Sequence, residues 1–475
     1  MDHLNLAYEA WRGAASLRSR RARLKDFAYG RQWGDPARRP DGELTTEGQR
    51  ALDSGATPLT NNLIRQSVKT VIGLYRRDFA REVPQALRAA ADMNFLDELD
   101  ARTLEEFLIS GCAIQRVVSE RRPAGAGLWV DIVSPARFFV NRFSDPRGND
   151  IELAGMLHDM SVAEAVARFG GENAGRRAFV ADRLLAAPRS VAPIGEPDGD
   201  DFLRAEGGKC RVIELWTMEL TRAIRCFDPD SGHTFTAEAT EAQKIARENA
   251  RRPPQRAIVT KTVDTVAWRC RWLSPCGEVL SEYLSPWPHG SHPFAVKFYP
   301  MVDGEVHSFV EDILPQQKMV NRVLTTIGHI LAASAKGVLL FPEERKPDYL
   351  SWDDICAMWS DSQGVIPYRS VFNGTNGGDM PRQVITGGAT SDAHALLSTE
   401  LSLMEKVSGV GDTLTGALGK NMSAEAYDAA ARHSATALTD VLGAFSGFTA
   451  MRTAKMLSLA TPTPFSPPLT PHQPL

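Results

Sequence analysis

The 475-residue chain lacks the cysteine pattern of a metal or redox site. Its six cysteines are scattered, with no CxxC pair and no Cys/His cluster at zinc spacing. No apolar run approaches the roughly 20 residues that a membrane span needs. The N-terminal segment MDHLNLAYEAWRGAAS carries an early acid and no apolar core, unlike a secretory signal. We therefore expect reduced thiols, no metal ion, no membrane segment and a reducing, soluble compartment.

Lysine is scarce, since it supplies only 12 of the 54 basic residues in a chain of formal net charge −4. Arginine suits phosphate contact because its guanidinium is bidentate. GC-rich coding DNA gives the same bias, so the bulk charge does not require a nucleic-acid partner. A basic run near the N-terminus fits either a solvated helix face or a phosphate site. It comprises Arg18, Arg20, Arg21, Arg23 and Lys25.

Catalytic motifs are missing too. GDTLTG at 411–416 has the glycine spacing of a phosphate loop, but Ala417 and Leu418 stand where Lys and Ser/Thr are needed, and the segment follows a helix. AFSGF at 444–448 lacks both glycines of a nucleophile elbow. The histidines form short-range pairs without a third partner, and the carboxylates cannot be paired for acid–base work by spacing. We expect no enzymatic activity and no cofactor.

The strongest helical pattern lies between Glu311 and Leu459. In Glu311–Lys336 the apolar residues return to one face of a 3.6-residue period. A second helix begins at Ser391 and stops at Gly409. The opposite face of the first helix is basic and carries Lys318, Arg322, His329 and Lys336. This pattern fits either a core helix pair with a solvated side or a pair whose polar face lines the hole of a ring.

An insertion separates the two helices, and a loop and a last helix follow them. The insertion is predicted to contain strand Val338–Phe341, helix Tyr349–Trp359, strand Val365–Tyr368 and strand Gln383–Ile385. The loop at 410–422 is rich in small residues, and Ser423 is a good N-cap for a final helix to about Leu459. The proline-rich tail after it is expected to be extended or disordered.

The first 310 residues mix α and β without regular βαβ alternation, which predicts an α+β fold. Predicted elements include a helix at residues 1–33, a loop at 34–58, a helix opened by Thr60 or Asn61, a helix Asp92–Ser110, a hairpin of Ala113–Glu120 with Leu128–Val133, a short helix Ser161–Gly170, a surface excursion at 171–208, and strands Cys210–Met218, Ile258–Trp272, Val279–Tyr283 and Ala295–Tyr299.

Several motifs, in order, resemble portal proteins of tailed bacteriophages, especially the short-tailed type. They are FAYGRQW (27–33), TPLTNNLIRQSVKTVIGLYRRD (57–78), SPARFFVNRFSDPRGND (134–150), HPFAVKFYP (292–300), VEDILPQQKMVNRVLTTIGHILAASAKG (310–337) and MEKVSGVGDTLTGALGKNMSAEAYDAA (404–430). Each motif is moderately specific, and their order across residues 27–459 carries the resemblance.

The resemblance implies a portal architecture. Its parts are a mixed α/β wing at 1–310, a stem helix at 311–336, a small α/β clip at 337–388, a second stem helix at 389–409, a channel loop at 410–423, a long wing helix at 424–459 and a Pro-rich tail at 460–475. Family members of this type often continue into a helical crown. Here the chain ends in the tail, so the crown is expected to be reduced or absent.

The resemblance also implies partners and a location. About twelve copies would form a closed ring at one capsid vertex of the virion after assembly in the host cytoplasm. Double-stranded DNA would pass through the ring during packaging and ejection. The terminase large subunit and later a head-to-tail adaptor would dock on the clip, and the major capsid protein or a scaffold would surround the ring. No membrane takes part, and ATP hydrolysis belongs to the terminase.

Two sets of candidate residues follow from the resemblance. A channel that lets any sequence slide needs weak, sequence-blind contacts. The DNA-channel candidates are Lys318, Arg322, His329, Lys336, Thr413, Thr415 and Lys420. The basic stem residues face either DNA or acids such as Glu400 on a neighbour. The clip-interface candidates are Arg345, Lys346, Tyr349, Trp352 and Trp359.

Other interpretations remain open at the level of sequence. A soluble enzyme or a nucleic-acid-binding protein would work as a monomer or dimer. A minor head or adaptor protein would lack the plan of helix, insertion and helix.

Overall fold

The computed structural model describes residues 2–80, 82–122, 125–186, 202–205, 207–230, 232–238, 242–336, 338–360, 365–369, 380–384, 390–411 and 424–460. The chain folds into two compact units that alternate along the sequence. Unit 1 comprises Met1–Lys25, Ser67–Glu311 and Asp412–Leu475. Unit 2 comprises Asp26–Gln66 and Asp312–Gly411. Each unit is therefore built from segments that are distant in sequence.

Helices and strands are both abundant in the described residues. The α-helices are α1 (His3–Gly13), α2 (Ala15–Ala28), α3 (Glu47–Asp53), α4 (Leu63–Leu74), α5 (Arg88–Met93), α6 (Leu96–Ser110), α7 (Val162–Phe169), α8 (Ala174–Leu185), α9 (Ala242–Arg251), α10 (Phe309–Lys336), α11 (Trp352–Ser360), α12 (Thr390–Ser408) and α13 (Ala424–Ala460). A π-helical turn at Tyr75–Phe79 extends α4, and 3₁₀ turns lie at Gln85–Leu87, Pro254–Arg256 and Glu343–Arg345.

The strands are β1 (Pro36–Arg38), β2 (Leu44–Thr46), β3 (Cys112–Arg122), β4 (Gly125–Ile132), β5 (Phe138–Val140), β6 (Leu153–Met160), β7 (Cys210–Asp228), β8 (His233–Glu238), β9 (Val259–Leu273), β10 (Val279–Leu284), β11 (Phe294–Phe298), β12 (Pro300–Val302), β13 (Glu305–Val306), β14 (Val338–Leu340) and β15 (Arg382–Val384). Every described strand pair is antiparallel. Antiparallel sheets combined with separate helices make the fold α+β, as predicted.

Unit 1 is organised around a six-stranded sheet. Its strand order is β10-β9-β7-β6-β5, with β8 paired to the far end of β7. The first eight residues of β7 are all buried, because both faces of this part of the sheet are covered. Trp216 and Trp272 on neighbouring strands are completely buried in the main apolar cluster. A three-stranded sheet, β11-β3-β4, also belongs to this unit.

The long last helix, α13, belongs to unit 1. Its apolar face buries Leu442, Phe445 and Phe448 completely. The Phe445 ring centroid lies 5.0 Å from that of Tyr75 and 5.6 Å from that of Phe107. Aromatic pairs at such distances add to the free energy gained from burying apolar area. This packing places the end of the chain against helices formed near its beginning.

Unit 2 contains α10, α12 and the insertion between them. The insertion holds an antiparallel pair of β14 with β15, and helix α11. Leu350 and Ile355 are buried there, and both Tyr349 and Trp352 are exposed. Among the described residues no helix of either unit has the length and hydropathy of a membrane span.

Most predicted elements are present with shifted ends. The hairpin of β3 and β4, the short helix α7 and the helices α10, α12 and α13 are confirmed. The segment Val365–Tyr368 is not a strand in the structure. Its Pro367 removes a ladder donor, which disfavours pairing.

Several elements were not predicted. The loop at 34–58 contains β1, β2 and α3, and the excursion at 171–208 contains α8. Strand β8 and helix α9 also lie in segments with no predicted structure. These elements are short or carry few large apolar residues, as in α9, where only Ile245 is buried. Their periodicity is therefore too weak to detect.

Candidate DNA-channel and docking residues

Buried polar residues on one face of α10, here called the polar stripe, form hydrogen bonds with a neighbouring segment of unit 2. Gln317, Asn321 and Thr325 follow each other at four-residue spacing, so they share one helix face. Gln317 Oε1 accepts hydrogen bonds from the backbone N–H groups of Leu63 (3.0 Å) and Ile64 (3.2 Å). These are first-turn donors of α4 that have no partner within their own helix. Gln317 thus acts as a cap supplied from a distant part of the chain.

The same stripe binds the residues just before α4. Asn321 Oδ1 accepts from Asn61 N at 3.2 Å, and Thr325 Oγ1 accepts from Leu59 N at 3.0 Å. Asn62, not Thr60 or Asn61 as predicted, caps α4 through its own side chain, which accepts from Arg65 N at 3.1 Å. The predicted cap was one or two residues early because three polar residues in a row, Thr60, Asn61 and Asn62, are all of types that cap helices.

Three of the motifs that carry the family resemblance meet in this cluster. Gln32, from the QW loop, donates to Asn62 Oδ1 at 3.2 Å and accepts from Asn321. Trp33 Nε1 donates to Thr60 Oγ1 at 3.0 Å. Buried amides are retained where every donor and acceptor is satisfied. The QW loop, the segment before α4 and the polar face of α10 therefore form one hydrogen-bonded assembly.

Replacing Gln317 with alanine is expected to lower the free energy of unfolding of unit 2 by about 1–2 kcal/mol, because the buried N–H of Ile64 loses its acceptor and that of Leu63 keeps the Asn61 carbonyl. Urea unfolding of the full chain measures this. Gln316→Ala is the matched control, since Gln316 Oε1 accepts no hydrogen bond among the described residues. Equal losses in the two variants would contradict the capping role.

The basic face of α10 is compensated by acids of the same chain. Lys318 Nζ lies 2.8 Å from Asp35 Oδ2 and 2.7 Å from Glu47 Oε1. Arg322 Nη2 lies 2.8 Å from Glu47 Oε1. Both acids are largely buried, at 6% and 11% side-chain exposure, whereas Arg322 remains 46% exposed. Two cations therefore face two carboxylates, which leaves this part of the helix with little net positive charge.

The other channel candidates are placed less completely. His329 is exposed on α10, and its ring lies near Gly55. Lys336 is the last residue of α10. Thr413, Thr415 and Lys420 lie outside the described residues. The structure therefore brings Lys318 and Arg322 together and leaves the remaining candidates as predictions.

In the insertion, two of the five docking candidates are internal anchors. Arg345 is only 2% exposed and donates to the carbonyl of Arg369 at 3.1 Å. Lys346 donates to the Leu350 carbonyl and lies 5.9 Å from the Trp352 ring centroid. Both side chains support the fold of the insertion.

The aromatic candidates differ in exposure. Tyr349 is 75% exposed and Trp352 is 43% exposed. Trp359 is half-buried on α11. The Trp352 ring packs edge-on to Phe341, with centroids 6.1 Å apart. Tyr349 and Trp352 are the candidates whose side chains are most available to a partner.

The N-terminal basic run is structural in unit 1. Arg18 stacks over Trp11, with its Cζ 3.5 Å from the ring centroid. Arg21 forms a bidentate pair with Glu106, at 2.6 and 2.8 Å. Arg20 donates to the Val306 carbonyl at 3.0 Å. These three arginines are committed to contacts within the chain, so the solvated-face interpretation is wrong for them.

A buried ionic cluster lies at the centre of unit 1. Glu214 on β7 is fully buried, and its Oε2 lies 3.2 Å from Arg116 Nε. His158 Nε2 lies 2.8 Å from Oε2, and Trp216 Nε1 donates to Oε1 at 2.8 Å. Burial alone would raise the pKa of Glu214, but Arg116 and the hydrogen bonds from His158 and Trp216 outweigh it and lower the pKa to about 2. Glu214 therefore stays ionised inside the core.

Four histidines of unit 1 have lowered pKa values, and for His3 the main cause is burial. Burial, opposed by Glu214, lowers the pKa of His158 below its ordinary value of 6.5. Burial and the nearby Lys455 lower the pKa of His289 to about 3 and that of His292 well below 6.5. Lys455 Nζ donates to Ser291 Oγ (2.7 Å) and to the His292 carbonyl (2.8 Å). The histidines are therefore neutral in the folded protein at neutral pH.

Stability is expected to fall as the pH drops from 6.5 to 5. In that window the unfolded chain binds protons on these histidines and the folded chain does not, so the free energy of unfolding decreases by up to about 1.4 kcal/mol per histidine and pH unit. Urea unfolding at several pH values measures the slope. His158→Gln should reduce it by one histidine's share, and an unchanged slope would contradict the assignment.

Residues 78–462 match the sequence model of the phage P22-like portal protein family. The chain belongs to this family. No match to a curated protein was found. The matched span of this portal-family chain includes Gln317 and Asn321 but begins after Gln32 and Asn62. The cluster thus joins the matched part of the portal fold to residues that precede it.

Proposed function

We propose that copies of this chain form a ring at one capsid vertex through which double-stranded DNA is packaged and ejected. Membership of the P22-like portal family over residues 78–462 is the observation that carries the proposal. The plan of helix α10, a compact insertion and helix α12 supports it. The ring of about twelve copies closes through contacts between different surfaces of neighbouring subunits.

In this proposal α10 contributes a channel wall that DNA slides past. A protein that neutralises many phosphates binds DNA tightly and in a salt-dependent way, which would hinder sliding. Asp35 and Glu47 compensate the charges of Lys318 and Arg322. Of these two cations, only Arg322 is exposed enough to attract the phosphates of DNA. Lys420, which precedes α13 in the sequence, would add one further cation per subunit.

The insertion is the proposed docking site for the terminase large subunit and then for the head-to-tail adaptor. Exposed aromatic side chains are frequent anchors of protein interfaces. Tyr349 and Trp352 provide them here. The chain acts as a structural component without enzymatic activity, and the terminase supplies ATP hydrolysis. Contacts with the major capsid protein or a scaffold hold the ring at the vertex.

Electron microscopy and light scattering of the purified full chain test the ring. We expect annular particles of about twelve copies. A monomer or dimer under every assembly condition, including co-expression with capsid and scaffold proteins, would contradict the proposal and favour a soluble nucleic-acid-binding or adaptor role.

Charge reversal tests the channel residues. Lys420→Glu and Arg322→Glu are each expected to reduce the DNA packaged per particle at least several-fold, through repulsion of phosphates. Arg322→Glu also breaks the pair with Glu47. The swap Glu47→Arg with Arg322→Glu restores an Arg–Glu pair, although Lys318 then keeps only Asp35 as its partner acid. Recovery of packaging in the swap would assign Arg322 a purely structural role. Normal packaging in both single variants would contradict the channel assignment.

A further inference from the structure

Part of the unit 1 sheet continues beyond its neighbours as an arm. The β7–β9 ladder runs without a register shift from Ile213↔Leu273 to Phe227↔Val259. On one side, β6 pairs with β7 only as far as Thr217, and on the other side β10 pairs with β9 only as far as Arg269. Residues 218–228 of β7, residues 259–268 of β9 and strand β8 form this arm.

The outer edge of the arm at β9 is open. Within the described residues no strand pairs with 259–268 on the side away from β7. Ser285 N donates to the Trp268 carbonyl at one end of this stretch, and Asn249 of α9 binds both backbone groups of Ile258 just before the other end. Val259 is 61% exposed and Val266 is 58% exposed. Proteins usually protect such edges with proline, bulges or several charges. This stretch, VTKTVDTVAW, is rich in β-branched residues, has no proline and no bulge against β7, and carries only two charges, Lys261 and Asp264.

The opposite edge of the arm, at β8, is open as well. Among the described strands β8 pairs only with β7. Phe227 is the partner of Thr234 on one side and of Val259 on the other, so β8 and the start of β9 lie at the same level. Both strands are antiparallel to β7 and therefore run in the same direction. The two edge strands of the arm, β8 and the start of β9, therefore run in the same direction and flank the same part of β7.

We propose that β9 of one copy pairs in parallel with β8 of the next copy, joining the arms edge to edge. This inference rests on the proposed ring, in which each subunit offers two different surfaces to its two neighbours. In the proposed ring, neighbouring copies are related by a small rotation, so equivalent strands run in similar directions. Because β8 and β9 run in the same direction within one copy, β9 of one copy is parallel to β8 of the next. Backbone pairing at an open edge is an established mode of strand addition.

Exposed apolar side chains on the arm favour a second copy as the occupant. Leu220 and Val266 are direct cross-strand partners and share one face, where they are 76% and 58% exposed. A three-stranded arm with both edges open gains little stability alone. Pairing with a neighbour on each side satisfies the edge N–H and C=O groups and covers part of this apolar surface.

Cysteine cross-linking of the full chain tests the pairing. The exposed native thiols are first removed as Cys276→Ser and Cys356→Ser, and Cys226, the direct cross-strand partner of Thr260, is removed as Cys226→Ala. Thr234→Cys is then combined with Val259→Cys or with Lys261→Cys. Adjacent strands are about 4.8 Å apart, which suits a disulfide. Positions 259 and 261 share a face with Thr234, whereas Thr260 faces the other way, so Thr234→Cys with Thr260→Cys is the matched control.

Mild oxidation should convert most of the monomer band into a ladder of covalent multimers in one of the two same-face pairs. Each single variant and the Thr260 control should stay monomeric under denaturing conditions. Dimers alone from the single Val259→Cys variant would indicate two-fold pairing of β9 with itself and overturn the proposal. Rings without a ladder would overturn the pairing and leave the ring intact, whereas neither rings nor a ladder would overturn both.

Discussion

Replacing Glu214 with alanine is expected to lower the free energy of unfolding of unit 1 by about 3–5 kcal/mol. The variant leaves Arg116 with its side chain only 6% exposed and without its closest counter-charge. His158 and Trp216 lose their hydrogen-bond acceptor at the same time. Urea or thermal unfolding followed by tryptophan fluorescence measures the loss, because Trp216 reports on this part of the core.

The control for Glu214 lies on the same strand. Glu219 pairs with Arg269 and Arg271, but its carboxylate is 32% exposed. Arg271 also keeps a second acid, Glu282, at 3.0 Å. Glu219→Ala should therefore cost about 1 kcal/mol or less. Similar losses in the two variants would show that burial of the Glu214–Arg116 pair does not determine its contribution to the free energy of unfolding.

Replacing Arg452 with methionine is expected to destabilise unit 1 by about 3 kcal/mol. Arg452 on α13 is 4% exposed and lies 3.1 Å from Asp100 Oδ2. Burial raises the pKa of Asp100, and Arg452 opposes that shift. Without Arg452 the pKa of Asp100 rises further, so the loss is present at neutral pH and shrinks at acidic pH, as Asp100 becomes protonated in the folded protein with and without Arg452.

A double variant separates the contribution of the Arg452 charge from that of its packing. Asp100→Asn removes the carboxylate and keeps an amide for Gln115, which donates to Asp100 Oδ1 at 3.2 Å. Combined with Arg452→Met it should recover part of the lost free energy of unfolding. If the double variant is as unstable as the sum of the single variants, the packing of Arg452 rather than its charge holds α13.

The helical parts of the fold could be predicted because local signals agree there. Helices α10 and α12 have regular apolar spacing, and Gly409 with a φ of 66° ends the second one as a C-terminal glycine should. The elements missed between 34 and 58 have three to seven residues. Segments that short are stabilised by tertiary contacts rather than by their own pattern.

The sequence predicted which basic residues lie on one face of α10, but not which residues they contact. The spacing on α10 indicated a basic face that includes Lys318 and Arg322. Nothing in that spacing indicated Asp35 and Glu47, which lie more than 270 residues earlier in the chain. Gln317 and Asn321 were part of a quoted motif, yet their role depends on backbone donors of α4. Contacts between such distant segments are decided by tertiary structure and leave no local periodicity.

The interleaving of the two units constrains how the chain is made. Tyr75 and Phe107 leave the ribosome long before Phe445, which covers them in the finished unit 1. At typical translation rates the delay is on the order of tens of seconds. During that time the apolar surface reserved for α13 is exposed in the nascent chain. Unit 1 can therefore be completed only after α13 has been synthesised.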